Sequence, residues 1–175
     1  MNYLAHALLA WPSKECLVGS MLGDLAKGAV DPGLERGVEF HRRVDASTDR
    51  HPMFKRSRAR LEEEFGRYSA VIVDVFYDHL LARQFERHSE IAFDPFVDWV
   101  RDTLEDQLAE LSGRIQHAAV RLIDHEVLRN YREIAGIRFA LARISDRARR
   151  KIDLAPAADR LATERAGFAA DFGAF

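Results

Sequence analysis

The sequence predicts an all-α, single-domain helical bundle spanning residues 1–175, and three observations carry that expectation. Apolar residues recur at intervals of three and four: Leu17, Met21 and Leu25; Val97, Val100, Leu104, Leu108 and Leu111; Ile115, Leu122 and Ile123; Ile137, Leu141 and Ile144. Such spacing lines up side chains along one face of a helix. Asp31-Pro32 and Asp94-Pro95 each set a capping carboxylate ahead of a proline at the first helical position, so both read as helix starts. The β-branched run Ser69 to Val75 continues unbroken into FYDHLLARQF and has no partner strand, so it too reads as helix.

Breaks between elements are expected at Pro12-Ser13, Gly28, Ser47 to Pro52, Gly66, His88 to Phe93, Ser112-Gly113, Gly136 and Asp153 to Pro156. No repeat, low-complexity tract or Gly/Ser linker divides the chain, and 175 residues suffice to bury roughly two-thirds of the unfolded surface. The single Cys16 cannot close an intrachain disulfide; it reads as a small core residue in a reducing compartment.

The opening MNYLAHALLAW is apolar but short, without a basic leader or a small-residue cleavage pattern, and is not expected to be a signal peptide. Asp74 interrupts the stretch from Val71 to Tyr77, and no apolar run has the length of a membrane span. The expectation is a cytoplasmic protein without a membrane partner. A net charge of -2 gives no argument for nucleic acid. Basic residues nevertheless cluster at Arg50, Lys55, Arg56, Arg58, Arg60 and Arg67, and again from Arg143 to Lys151. Such runs are ordinarily solvated helix faces, but they can also steer an acidic partner. The first segment, Arg50 to Arg67, directly follows the His41/Asp45 pair and is the expected docking helix, with Arg56 and Arg60 as the positions whose reversal would test it.

Chemistry concentrates in the first half, where His6, His41, His51, His79 and His88 lie beside carboxylates. Asp24 sits among Met21, Leu22 and Leu25, with Gly19 and Gly23 allowing another backbone close, and is expected to face inward. A buried carboxylate needs a salt bridge, a helix-end hydrogen bond or a metal. In FHRRVD, His41 and Asp45 are four apart and share a helix face, which is metal-ligand or acid/base spacing and equally that of a surface hydrogen bond. Arg42 and Arg43 point elsewhere on that turn. In DVFYDHLLARQF, Asp74, Asp78 and His79 occupy a helix apolar nearly all round, where two acids and an imidazole require a cation or a full hydrogen-bond network. His6 joins them only if the first helix packs over the group. Mixed imidazole and carboxylate donors suit manganese, iron or zinc better than calcium. There is no glycine-rich phosphate loop, G-x-S-x-G elbow, H-E-x-x-H or cysteine nucleophile setting. The composition of the candidate site therefore favours metal-activated water attacking a phosphoryl centre.

The segments MNYLAHALLA, GSMLGDLAKG, GVEFHRRVDASTDRHP and DVFYDHLLARQF, in this order and at these distances, resemble the acyl carrier protein phosphodiesterase family. The resemblance is dense from Met1 to about Phe85 and thins to helical pattern afterwards. It implies an all-helical fold of the His-Asp (HD-type) phosphohydrolase kind and a divalent ion, manganese foremost, with iron or magnesium as alternatives. The implied reaction is hydrolysis of the phosphodiester joining 4′-phosphopantetheine to a serine of holo acyl carrier protein, the implied protein partner. By motif position it carries over His6, Asp24, His41, Asp45, Asp78 and His79 as the metal-binding set. Asp24 and His41 serve also as catalytic groups, with Lys27 and Arg42 as phosphate contacts. Ser20 stands where the family pattern leads one to expect Asn. Two other readings stay open: a phosphohydrolase of nucleotides or other small phosphoesters, and a helical binding module whose inward acids are merely salt-bridged.

Overall fold

A computed structural model describes residues 2–26, 33–148 and 151–175, and all regular structure among them is helical. Helix α1 (Tyr3–Ala10) gives way at Pro12-Ser13 to α2 (Lys14–Leu22), where Ser13 Oγ accepts the Cys16 N–H at 3.3 Å, and α2 runs into a single 3₁₀ turn, Gly23–Leu25. The hydroxyl satisfies one of the amide donors that a helix start leaves unpaired. Next come α3 (Glu35–Arg50), α4 (Pro52–Ala59), α5 (Glu62–Phe65) and α6 (Ser69–Arg83). The second half holds α7 (Phe93–Gln107), α8 (Gly113–Asp124), α9 (Val127–Asn130), α10 (Ile134–Ser145), α11 (Ala157–Thr163) and α12 (Arg165–Gly173).

Three boundaries differ from the sequence expectation. Helix α7 starts at Phe93, ahead of Asp94-Pro95, and the Asp94 carboxylate, instead of capping, binds the Arg129 guanidinium at 2.5 Å. The ion pair with α9 outcompetes the cap. Helix α3 continues through Ser47 to Arg50, and the break falls at His51, whose Nδ1 accepts the Met53 N–H at 3.3 Å with Pro52 at the first helical position. Gly136 is not a break but lies inside α10, because a Cβ there would sit 1.9 Å from the Asn130 carbonyl oxygen. It lets α9 and α10 touch backbone to backbone. The expected start at Asp31-Pro32 and the break at Gly28 lie outside the described residues.

Helix α6 is the hub. Eleven of its 15 residues are buried, which is what an apolar perimeter demands, and it packs against α1, α4, α10 and α12. Helices α2 and α3 meet closely through facing glycines. A Cβ on Gly19 would stand 2.8 Å from the Gly37 Cα, and one on Gly37 would stand 2.5 Å from the Cys16 carbonyl oxygen. Cys16 itself is half-buried against the core. No helix among the described residues is long and apolar enough to cross a membrane.

Arg56 and Arg60, expected to dock a partner, are both held by a carboxylate of this chain. Both project from α4 onto Asp171 of α12, a fully buried carboxylate that also accepts Ser57 Oγ–H at 3.0 Å. Arg60 additionally covers the Phe168 ring, 5.8 Å from its centroid. These cations are spent internally because Asp171 would otherwise be an uncompensated charge in the core. Burial pushes the Asp171 carboxyl up, but the hydrogen bonds from Arg56, Ser57 and Arg60 outweigh it and hold the group below the usual carboxylate range. Asp171→Ala should therefore cost about 3 kcal/mol, read as a lowered urea midpoint at unchanged slope. Because the folded-state pKa is depressed, this contribution is complete above the unfolded value of about 3.9 and is lost as pH falls below it. Asp171→Asn should lack that component of the acid dependence.

Candidate metal centre

The site grows from the buried stripe of α3, where Gly37, Val38 and His41 face the core and Asp45, one turn on, reaches its rim. The Gly19–Gly37 crossing brings the Ser20 carbonyl of α2 within 2.7 Å of His41 Nδ1, which donates to it. In the neutral ring this leaves Nε2 as the lone-pair nitrogen facing the pocket. Gly23 supplies the remaining clearance, since a Cβ there would lie 2.7 Å from His41 Cγ. The His6 ring, from α1, stacks on His41 with centroids 4.3 Å apart.

Three groups converge. His6 Nε2 lies 3.0 Å from Asp45 Oδ1, and His41 Nε2 lies 3.1 Å from Asp45 Oδ2. Ligand atoms of His6, His41 and Asp45 all fall within 4.8 Å of one another, a geometry that could hold a divalent cation. Asp24 stands beside them, its Oδ1 3.3 Å from His41 Nε2. His41 Nε2 is buried, yet neither flanking carboxylate is aligned for a hydrogen bond to it. A buried nitrogen between two carboxylates without a directed partner fits a metal better than a proton, and two imidazoles with one or two carboxylates are a donor set for a borderline divalent ion.

Electrostatics agree with a centre built to hold positive charge. Burial opposes charging His41, but the attraction of Asp24 and Asp45 overcomes it and raises its pKa to about 10. Burial raises Asp45, while the two imidazoles outweigh that and hold it well below the usual range. Contact with His41 keeps Asp24 low, and burial keeps His6 in its neutral form.

The remaining sequence candidates take other placements than expected. Asp24 was expected to face inward; the 3₁₀ turn instead carries it to the rim, with half its side chain exposed. Asp78 is fully buried, but both oxygens accept backbone N–H groups at the start of α1, Leu4 at 2.9 Å and Ala5 at 3.0 Å. It serves as the cap that Asn2 does not provide. Desolvation raises its pKa to about 7 against those two bonds. His79 turns its Nδ1 to the Tyr131 carbonyl at 2.7 Å. Consecutive residues of a helix point about 100° apart, so Asp78 and His79 serve different neighbours. Asp74 lies nearer the centre: burial raises its pKa, and it feels both Asp45 and His6. Arg42 is exposed on the turn of His41, and Lys27 lies outside the described residues. Sequence reasoning gave Ser20 no role, although a small polar residue in an apolar helix, four before Asp24, was the available signal. Its Oγ donates to the His6 carbonyl at 3.0 Å and its own carbonyl orients His41.

An all-α bundle carrying such a two-histidine, carboxylate-flanked pocket defines a helical hydrolase with a candidate divalent-metal centre. The model of the acyl carrier protein phosphodiesterase family matches residues 1–175, and the chain belongs to that family; it is a phosphodiesterase. Relatives bearing the name acyl carrier protein phosphodiesterase include one from Pectobacterium atrosepticum, 32% identical over 84% of this chain and 79% of its own length. Another, from Serratia proteamaculans, is 31% identical over 89% of this chain and 83% of its own. One from Yersinia pestis is 29% identical over 84% of this chain and 79% of its own. No solved structure matches the chain.

If the glycine clearance sets the His41 ring, Gly23→Ala should displace it. Gly23 has helical backbone angles that alanine accepts, so the fold should persist while metal affinity, measured by calorimetry, falls about 10-fold or more. Gly173→Ala, where a Cβ meets nothing within 4 Å, should change neither.

Proposed function

We propose that the enzyme hydrolyses the phosphodiester between 4′-phosphopantetheine and serine of holo acyl carrier protein, using one divalent ion, manganese foremost, held by His6, His41 and Asp45 with Asp24 adjoining. The observation that carries this is the buried, undirected His41 Nε2 between two carboxylates, in a chain of this family. A bound divalent ion supplies a lowered pKa for water and polarisation of a phosphoryl oxygen.

The chain's own residues do the positioning. Ser20 fixes the His41 tautomer through its carbonyl and holds the α1 backbone at His6 through its hydroxyl. Asp78 pins the first turn of α1 by two N–H bonds, one turn before His6, and acts as a positioning residue rather than a ligand. Half-exposed Asp24 sits where substrate arrives, beside His41, and is placed to hold or pass a proton at the rim. Exposed Arg42 is available for a phosphate oxygen. In the balanced reaction water adds to phosphorus, the bond from phosphorus to the serine oxygen breaks, and the serine oxygen takes a proton. The phosphate stays on the pantetheine arm.

Mass spectrometry of holo acyl carrier protein incubated with enzyme and Mn²⁺ should show loss of the prosthetic group, abolished by chelation and restored by Mn²⁺. Asp24→Ala should cut turnover at least about 100-fold while leaving the melting temperature nearly unchanged, because the side chain is half exposed. Intact holo protein beside rapid hydrolysis of nucleotides would move the substrate to the small phosphoesters. Full turnover by metal-free enzyme would remove the metal.

A further inference from the structure

Helices α8 and α10 border an open cavity of about 60 Å³ that Tyr3 of α1 also lines. Val75, Leu122, Ala140 and Ile144 supply apolar wall, and Phe139, 46% exposed, flanks it. Two guanidinium groups complete the lining, half-buried Arg121 and exposed Arg147. Among the described residues neither is paired with a carboxylate. Arg147 instead donates to the Arg143 carbonyl at 3.0 Å, whereas Arg143 is tied to Asp146.

Tyr3 joins this cavity to the metal centre. It lines the cavity and lies one turn before His6 on the same face of α1, and Val75 directly follows Asp74. Burial raises the Tyr3 phenol, and its other influences come from both sides, Arg147 and Arg121 on one and Asp24 on the other. An anion at the carboxylate-imidazole centre would thus have, along the α1 face that carries Tyr3 and His6, an apolar recess with two cations not paired to a carboxylate among the described residues.

We propose that this cavity receives the branched start of the pantetheine arm, the dimethyl-substituted carbon one methylene from the phosphate, with Arg121 and Arg147 facing the phosphate and first amide oxygens. This rests on the function proposed above. Three features select that occupant. The recess is tied to the centre through α1, which gives Tyr3 to the one and His6 to the other. Its accessible space of about 60 Å³ admits a pair of methyl groups. Its paired apolar wall and cationic edge match a ligand whose dimethyl carbon and phosphate are separated by a single oxymethylene link.

The test uses the full-length enzyme with Mn²⁺ and two substrates, holo acyl carrier protein and the armless diester bis(4-nitrophenyl) phosphate, plus unphosphorylated pantetheine as a binding probe. Pantetheine should shift the amide resonances of Tyr3, Phe139 and Ile144. Ala140→Leu, which fills the recess, should abolish those shifts and raise KM for the carrier protein about 10-fold, leaving kcat/KM for the armless diester within about 2-fold. Phe139→Ser, at an exposed position where folding is safe, should act in the same direction more weakly. Unshifted resonances with wild-type enzyme overturn the proposal, as do variants that affect both substrates alike or neither. Should the enzyme cleave neither substrate while pantetheine still shifts the three resonances, the phosphodiesterase reading fails and the cavity assignment stands.

Discussion

The close crossing of α2 and α3 at Gly19 and Gly37 is the constraint on which the centre depends. Any side chain at either position would collide with backbone rather than with a movable side-chain tip, so the helices would separate. Separation would carry the Ser20 carbonyl away from His41 Nδ1, and the ring would lose the bond that sets its tautomer and its plane. A hydrogen bond of this kind is worth only about 1 kcal/mol of net stability. Its value lies in direction, because a ligand nitrogen rotated away from the pocket contributes little to a cation. His6 depends on the same crossing at one remove, through its stacking on His41 and its carbonyl's bond to Ser20.

The second anchor is Asp78, whose two oxygens occupy the first free amides of α1. A carboxylate placed there is favoured by the partial positive charge of the helix start, which offsets part of its burial. This explains how a helix as apolar as α6 tolerates an acid at its core with no cation among the described residues touching it. It also explains why the Asp78-His79 doublet could be noticed in the sequence while its placement apart from His6, His41 and Asp45 could not. Sequence shows that a polar group is costly in such a helix, but the partners that discharge the cost are backbone amides of another helix, and backbone carries no sequence signature.

The same division runs through the molecule. Helix identity was legible because periodicity is local, and even the β-branched start of α6 was correctly read as helix. His41 and Asp45 were legible because four residues bring two side chains to one face. Misread features all involve competition between distant elements. Asp94 forgoes its cap for Arg129; Gly136 marks a helix contact instead of a break; Arg56 and Arg60 turn inward to Asp171. Asp24 was misplaced for a subtler reason, since apolar neighbours suggest burial only while the helix continues, and α2 ends just before it.

The reassignment of α4 changes where substrate recognition can lie. With Arg56 and Arg60 committed to a buried carboxylate, reversing their charge would act first on folding, and a docking role could not be separated from that effect. Positive charge not paired with a carboxylate among the described residues lies on α8 and just beyond α10, and Tyr3 feels both it and Asp24 of the centre. That arrangement sets an electrostatic gradient along the mouth of the site. Carboxylates alone would repel a phosphodiester, and a cation held by His6, His41 and Asp45 would offset their charge at one point only. Arginines placed beyond Tyr3 would extend the attraction past that point, toward the apolar recess proposed for the arm. Orientation of the arm is what a cluster of ligands cannot impose by itself, because a metal holds an oxygen atom but leaves the rest of the molecule free to rotate.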